Sequence, residues 1–210
     1  MSCCSKSRDE TMARIADHKE IEGWLTEEEA VELYSLAMQA KSPKPVFCEI
    51  GTWKGKSACV LATAAKEVKG TLFCVDPFTG VGDAASERAY KKVISQSSLP
   101  LKKEFEENME RLNLLSYTRV IPKLSKDARK DFPADHLDLL FIDGNHDYDF
   151  VMQDFILWSP LVQHGGYLAL HDVGAIHTDG PRRVSEEKIV SSSDWIDVKI
   201  VGETLVAQRK

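Results

Sequence analysis

The sequence predicts an α/β fold: a doubly wound, mostly parallel seven-stranded sheet with a C-terminal antiparallel hairpin. Three observations carry this. Short, near-continuous apolar runs alternate with segments of helical spacing, the pattern of a parallel sheet covered on both faces. Most of those runs stop at turn or acidic residues: Gly51, Asp76-Pro77, Asp143-Gly144 and His171-Asp172. Near the C-terminus, two apolar runs are separated only by Gly202-Glu203, which reads as a hairpin.

Each element follows in order. Residues 1–45 read as an N-terminal tail and helical cap, and 46–210 as the main domain. Thr26 to Glu29 forms a capping-box pattern, and Ala30, Leu33, Tyr34 and Ala37 follow at helical spacing, predicting a helix over about 26–40. Ser42-Pro43-Lys44-Pro45 ends it. The first strand is Val46–Ile50, and Ala58, Leu61, Ala62 and Ala65 mark the next helix. Gly70 breaks that helix before a strand at Thr71–Val75; two more strands are read at Tyr117–Ile121 and Leu137–Ile142. Val151, Phe155, Trp158 and Val162 are spaced for a helix stopping at Gly165-Gly166, with Phe155 and Trp158 on its core face. Tyr167–Leu170 is the fifth strand, and Trp195–Val201 with Thr204–Gln208 the hairpin. The weakly patterned stretch 78–116 reads as two crossover helices or as a lid.

Composition narrows the class. At 210 residues and 43% hydrophobic, the chain has room for a substantial core. A net charge of -6 provides no basic field for nucleic acid. No apolar run reaches membrane length and the N-terminus lacks a signal-peptide core, so the expected location is the cytoplasm. Five cysteines, three of them in apolar segments, read as reduced thiols; Cys3 and Cys4 are expected in a disordered tail. A homodimer is compatible with this sequence but no motif specifies it.

Residues 49–57 read EIGTWKGKS. The GKS ending suggests a phosphate-binding loop, but only three residues separate Gly51 from Gly55, one fewer than that loop requires. A nucleotide triphosphatase is therefore a rival reading, and a non-catalytic cofactor-binding or partner-binding protein is another. A nicotinamide oxidoreductase is weaker, because GxGxxG is absent. Ligands of open α/β sheets lie at the carboxyl ends of the strands, and here those ends carry Glu49, Asp76, Asp143 and Asp172. Such a rim suits ribose hydroxyls, an amino group and a positive charge better than bare phosphates. Asp76 reads as a ribose ligand or as an Asx-turn before Pro77. Gly51 and Gly55 read as close backbone approach to a ligand or as turn geometry. Ser57 either caps the next helix or meets a carboxylate.

The segment Glu49–Ser57, the Asp76 turn and Leu137–Gly144 resemble class I S-adenosylmethionine-dependent methyltransferases, whose sheet is Rossmann-like. Phe141-Ile-Asp-Gly-Asn-His-Asp-Tyr148 and Gly165–Asp172 narrow the resemblance to metal-dependent O-methyltransferases of the catechol and antibiotic-sugar types. The resemblance spans roughly 46–208. It implies S-adenosylmethionine as methyl donor, lined by Glu49, Gly51, Trp53, Ser57 and Asp76, with Phe78 and Ser125 at the adenine. It also implies a divalent metal, Mg²⁺ or Mn²⁺, on Asp143 and Asp172, with His171 as a further ligand, and His146 as general base. Asp143 thus falls in both the cofactor and the metal assignments.

Chemically, a metal on Asp143 and Asp172 would lower the pKa of an acceptor hydroxyl, and a neutral histidine would take its proton. The plainer readings are a loop residue capping a helix for His146, and a packed residue or one orienting Asp172 for His171, whose nitrogen suits Mg²⁺ poorly. His177 and Asp179 read as loop residues able to reach substrate, with solvation the plainer role; Arg182, Arg183, Glu186 and Glu187 read as a solvated helix surface. The expected acceptor is a small-molecule hydroxyl, of a sugar or a phenol.

Overall fold

In the computed structural model, which describes residues 2–80, 82–83, 87–97 and 99–210, seven strands are formed. They are β1 Val46–Ile50, β2 Thr71–Val75, β3 Thr118–Ile121, β4 Leu137–Ile142, β5 Val162–Leu170, β6 Trp195–Val201 and β7 Thr204–Arg209. They make one sheet in the order β3-β2-β1-β4-β5-β7-β6. The first five are parallel; β7 is antiparallel to both β5 and β6. Strand order reverses between β1 and β4, and this switch point fixes where a ligand can enter.

The helices are α1 Ser2–Arg14, α2 Glu27–Ala37, α3 Lys56–Val68, α4 Glu87–Gln96, α5 Leu101–Arg111, α6 Ser125–Ala128, α7 Tyr148–Trp158 and α8 Gly180–Ser185. Because side chains alternate across a strand, each central strand feeds two cores. Phe47, Leu139 and Phe141 join Ala58, Leu61, Ala62 and Ala65 of α3 and Leu33 of α2 on one face. Cys48, Leu140 and Ile142 join Val151, Phe155 and Trp158 of α7 on the other. The first 45 residues contribute Ile15, Ile21, Leu25 and Ala30 to the α3 core. Trp158 is fully buried, a contribution of about 2–3 kcal/mol.

Three local expectations are corrected. The tail expected to be disordered carries α1, and Cys3 and Cys4 fall within it. The helix expected to reach Gly165 ends at Trp158, because Pro160 interrupts helical hydrogen bonding and Ser159–Leu161 tightens into a 3-10 turn. Val162 therefore opens β5, paired with Leu137. The helix expected over 26–40 is shorter, Glu27–Ala37, although its capping box forms between Thr26 and Glu29. The 78–116 stretch supplies α4 and α5, the two crossover helices. Cys48, Cys59 and Cys74 are buried free thiols. No helix among the described residues is long and apolar enough to cross a membrane.

Candidate active site

The carboxyl ends of β1, β2, β4 and β5 open into a cavity of roughly 840 Å³. Its first wall is the loop from β1 to α3. Gly51 has φ +88, and a Cβ there would collide with the Asp143 carbonyl, so β1 and β4 can converge only at a glycine. Asp76 holds this loop in place. Its Oδ2 accepts the Thr52 and Trp53 backbone N–H groups, both at 2.9 Å, and its Oδ1 accepts the Phe78 N–H at 2.6 Å. The last of these is the Asx-turn. Burial raises the Asp76 carboxyl while these three N–H groups pull it down, leaving it above its ordinary value. Oδ2 is filled by its two N–H donors, whereas Oδ1 keeps lone-pair capacity in the cavity that Asp76 lines.

Glu49 lies beneath that loop, fully buried, with neither carboxylate oxygen hydrogen-bonded in good geometry. Burial pushes it up to about 8, against the nearby Ser57 and Thr52 hydroxyls, which lower it. The Thr52 Oγ1 and Trp53 Nε1 atoms are also buried without partners. Unsatisfied polar atoms gathered around one loop are costly unless a ligand completes them. Trp53, at φ 51, holds a left-handed conformation rare for a bulky residue. Its ring contacts Tyr90 at 4.7 Å and Trp24 at 6.0 Å between centroids, forming an aromatic wall.

The opposite wall gathers acids and histidines. Asp143 closes β4 and His146 follows in the loop. Asp172 follows β5 at φ 58, another strained non-glycine position. Donor atoms of Asp143, His146 and Asp172 all lie within 4.8 Å of one another. His146 Nε2 is 2.9 Å from Asp172 Oδ2, and Nδ1 is 2.8 Å from Asp83 Oδ2. Burial lowers the His146 imidazole, but Asp172, Asp143 and Asp83 outweigh it and push it up to about 9. Asp172 is held well below the usual carboxylate range: burial raises it, and the two histidines overcome that.

His171 lies outside this triad. Its Nδ1 is 3.1 Å from Asp143 Oδ1 and 3.3 Å from Asp172 Oδ2, while Nε2 faces Glu29 Oε1 at 3.4 Å. Surrounded by three carboxylates, it is strongly raised despite burial. The arrangement fits a charged side chain orienting Asp143 and Asp172; the group whose donor atoms converge is Asp143, His146 and Asp172. Glu29 extends this network. Its Oε1 also accepts the Glu203 N–H at 2.8 Å and the Thr204 hydroxyl at 3.0 Å, and its Oε2 accepts the Thr26 N–H at 2.9 Å. Burial opposes its charge, yet His171 and Thr26 hold it down at about 2.

Of the residues singled out in the sequence, Gly51, Trp53, Asp76, Ser125, Asp143, His146, His171, Asp172 and His177 line the cavity. Glu49 and Ser57 stand behind its wall, facing each other. Phe78 is expected at the adenine but instead packs on Phe105, 5.7 Å between centroids, its positive φ turning the ring into the α3 core. Lys56, the lysine of the GKS ending, does not line the cavity. Lys54 is buried in ion pairs with Glu22 at 2.9 Å and Glu104 at 2.8 Å. The loop thus has no lysine directed at a phosphate. Asp179 and Arg182 line a neighbouring groove that shares Asp83, His146 and His177 with the cavity. Sequence reasoning missed Glu29, Asp83 and Asp154. For Asp154 a signal existed, since an acid stands within the apolar stripe Val151, Phe155 and Trp158.

Comparison with known families decides the assignment: a profile described as a methyltransferase domain matches residues 48–173. The chain belongs to this methyltransferase family. The matched segment runs from β1 to the residue after Asp172, so it contains both walls of the cavity. Similar folds include the O-methyltransferase NovP, 18% identical with a TM-score of 0.67, covering 87% of this chain and 80% of NovP. The O-methyltransferase TomG of Streptomyces achromogenes, solved in complex with SAM, is 15% identical with a TM-score of 0.64 over 97% of this chain and 89% of TomG. An O-methyltransferase of Bacillus cereus, solved in complex with SAH, is 17% identical with a TM-score of 0.64 over 98% of this chain and 91% of that one. At such identities these structures share the fold of this methyltransferase. A sequence relative, the uncharacterized protein R132 of Acanthamoeba polyphaga mimivirus, is 29% identical over 140 residues, 67% of this chain. The match spans 57% of that relative's length.

Proposed function

We propose that this methyltransferase transfers a methyl group from S-adenosylmethionine to a hydroxyl oxygen of a small molecule, a sugar or a phenol, with a divalent cation and His146 assisting. The observation that carries this is the cluster of Asp143, His146 and Asp172, with donor atoms within 4.8 Å, on the wall opposite the Asp76-anchored loop. Trp53, whose indole N–H has no partner, and Asp76 both line the cavity and fit a bound nucleoside with an amino-acid tail. Oδ1 of Asp76 keeps acceptor capacity for a ribose hydroxyl. When bound, that donor supplies a methyl on a positive sulfonium, which an acceptor oxygen displaces in line.

Two carboxylates beside an imidazole fit a divalent cation, and Asp143 and Asp172 are the residues that would hold it. Such an ion would supply Lewis acidity, lowering the pKa of the acceptor hydroxyl. The protein's own groups do the rest. Asp83 Oδ2 lies 2.8 Å from Nδ1 of His146, and the surrounding carboxylates favour a protonated ring in the ligand-free protein. With a cation on Asp143 and Asp172 to offset their charge, Nε2 is able to take the acceptor's proton. Asp172, 2.9 Å away, stabilises the imidazolium that results. His171, buried between Asp143, Asp172 and Glu29, keeps both rim carboxylates ionised and aligned. The test is transfer of labelled methyl from S-adenosylmethionine to panels of phenols and sugars, with Mn²⁺ or Mg²⁺ and with chelator. Cation-dependent labelling of an acceptor hydroxyl, lost in His146→Ala, is the expected result. Labelling of nitrogen or carbon acceptors alone would contradict it.

A further inference from the structure

One buried charge takes no part in the chemistry proposed above. Lys54 stands in the loop from β1 to α3, 4% exposed, and is not among the residues that line the cavity. Its Nζ donates to Glu22 Oε2 at 2.9 Å, on the segment before α2, and lies 2.8 Å from Glu104 Oε1 on α5. Its backbone carbonyl accepts the Asn108 side-chain N–H at 3.0 Å, again from α5. Glu104 Oε2 in turn accepts the hydroxyl of Ser97, just past the end of α4, at 3.0 Å. Each segment tied in this way carries one ring of the cavity's aromatic wall. Trp24 stands two residues after Glu22, Trp53 directly precedes Lys54, and Tyr90 is on α4. The ring centroids are 4.7 Å apart for Trp53 and Tyr90, 5.4 Å for Trp24 and Tyr90, and 6.0 Å for Trp24 and Trp53.

Burying an ammonium is a poor way to stabilise a fold, because apolar residues of like volume often do as well or better in its place. The rings themselves are not fixed by burial: Trp24 is half-exposed, and Trp53 is held in a left-handed conformation. What the ion pairs of Lys54 do fix is how three segments, distant in the chain, stand relative to one another. We infer that Lys54 is a positioning residue for donor binding, which sets the Trp24–Trp53–Tyr90 wall through Glu22 and Glu104 before the ligand arrives. A wall ordered in advance spares the ligand the cost of immobilising three large side chains. The inference rests on S-adenosylmethionine as the donor and on the cavity that Trp53 lines, not on the cation or the base.

The test is calorimetric titration of the full chain with S-adenosylhomocysteine, beside acrylamide quenching of tryptophan fluorescence and urea unfolding of the same samples. Lys54→Met keeps an unbranched side chain and removes its charge, and Glu22 and Glu104, 53% and 25% exposed, then reach water. The variant is expected to bind about tenfold more weakly while still folded. Its fluorescence is expected to be quenched more readily, and since Trp158 and Trp195 are buried, that change reads Trp24 and Trp53. Wild-type affinity in folded Lys54→Met would overturn the inference, as would a loss that only follows the unfolded fraction. Should Lys54→Met not fold, Glu22→Gln decides. It cuts the link to Trp24 at a half-exposed acid, should weaken binding about threefold, and overturns the inference if affinity is unchanged. Failure of S-adenosylhomocysteine to bind wild type overturns the donor assignment and this role with it. Binding by wild type with no change in the variants overturns this role alone.

Discussion

Asp83 and His146 meet at 2.8 Å, Oδ2 to Nδ1, with Asp83 only 4% exposed. One belongs to the loop after β2 and the other to the loop after β4, so the pair joins two walls of the cavity. Both ring nitrogens of His146 thus face carboxylates, which orients the ring and favours its protonated form. Asp83→Asn should lower kcat about 10- to 100-fold while leaving S-adenosylhomocysteine affinity within about threefold. Steady-state kinetics beside calorimetry checks this; equal losses in both would assign Asp83 to cofactor binding instead.

Removal of divalent cations should abolish most methyl transfer. With Asp143→Asn or Asp172→Asn, loss of turnover of about 100-fold or more is expected, not rescued by excess Mn²⁺. Chelated wild type should recover on adding back Mn²⁺ or Mg²⁺. Full activity in chelator would remove the cation from the account and leave His146 acting alone.

Glu29 links the N-terminal helix α2 to the turn of the β6–β7 hairpin, where it accepts from Glu203 and Thr204 and faces His171. Glu29→Ala leaves those donors and Nε2 of the buried His171 without their acceptor, and should cost about 3 kcal/mol in denaturant unfolding. Gly202→Ala should also destabilise, by about 1–3 kcal/mol, because its φ is +60 and the new Cβ would come within 2.9 Å of the Glu29 carboxyl. Unchanged midpoints in both variants would show that this junction contributes little.

Much of the fold is legible in the sequence, and for a simple reason. β1, β2 and β4 are near-continuous apolar runs, β1 and β4 each carrying one acid, bounded by Gly, Pro or Asp, so their limits follow from local chemistry. The same holds for Asp76, Asp143 and Asp172, which stand where strands stop. What is not legible is which distant side chain meets which. The capping box marks Glu29 as a local hydrogen-bonding residue, yet its decisive partner, Glu203, is 174 positions away. Asp154 meets Ser125 across 29 positions, and nothing local announces that contact. The family resemblance implies Phe78 at the adenine, but a backbone φ of 53 turns it to Phe105. Val162 has helical spacing with Trp158, and Pro160 between them decides for a strand.

Stability should depend on pH through Glu49. Its folded value, about 8, lies above its ordinary value of 4.5 because the carboxyl is buried. Folding therefore favours the protonated acid, and stability falls as pH rises from about 4.5 to about 8 before levelling. Glu49→Gln removes this dependence. Relative to wild type, the ligand-free variant should gain several kcal/mol, of order of magnitude, between about pH 5 and pH 9. Urea unfolding at several pH values reads this directly; parallel curves for the two proteins would show that Glu49 is ionised and partnered in the fold.

The central claim is that the cavity between the Asp76-anchored loop and the Asp143–Asp172 wall receives an adenosyl sulfonium donor rather than a nucleotide triphosphate. The most direct test is calorimetric titration of the ligand-free chain with S-adenosylhomocysteine and with ATP–Mg²⁺, repeated on Asp76→Ala. The account predicts one S-adenosylhomocysteine per chain, binding weakened about tenfold or more in Asp76→Ala, and no heat from ATP. Saturable ATP binding with none of S-adenosylhomocysteine would contradict it.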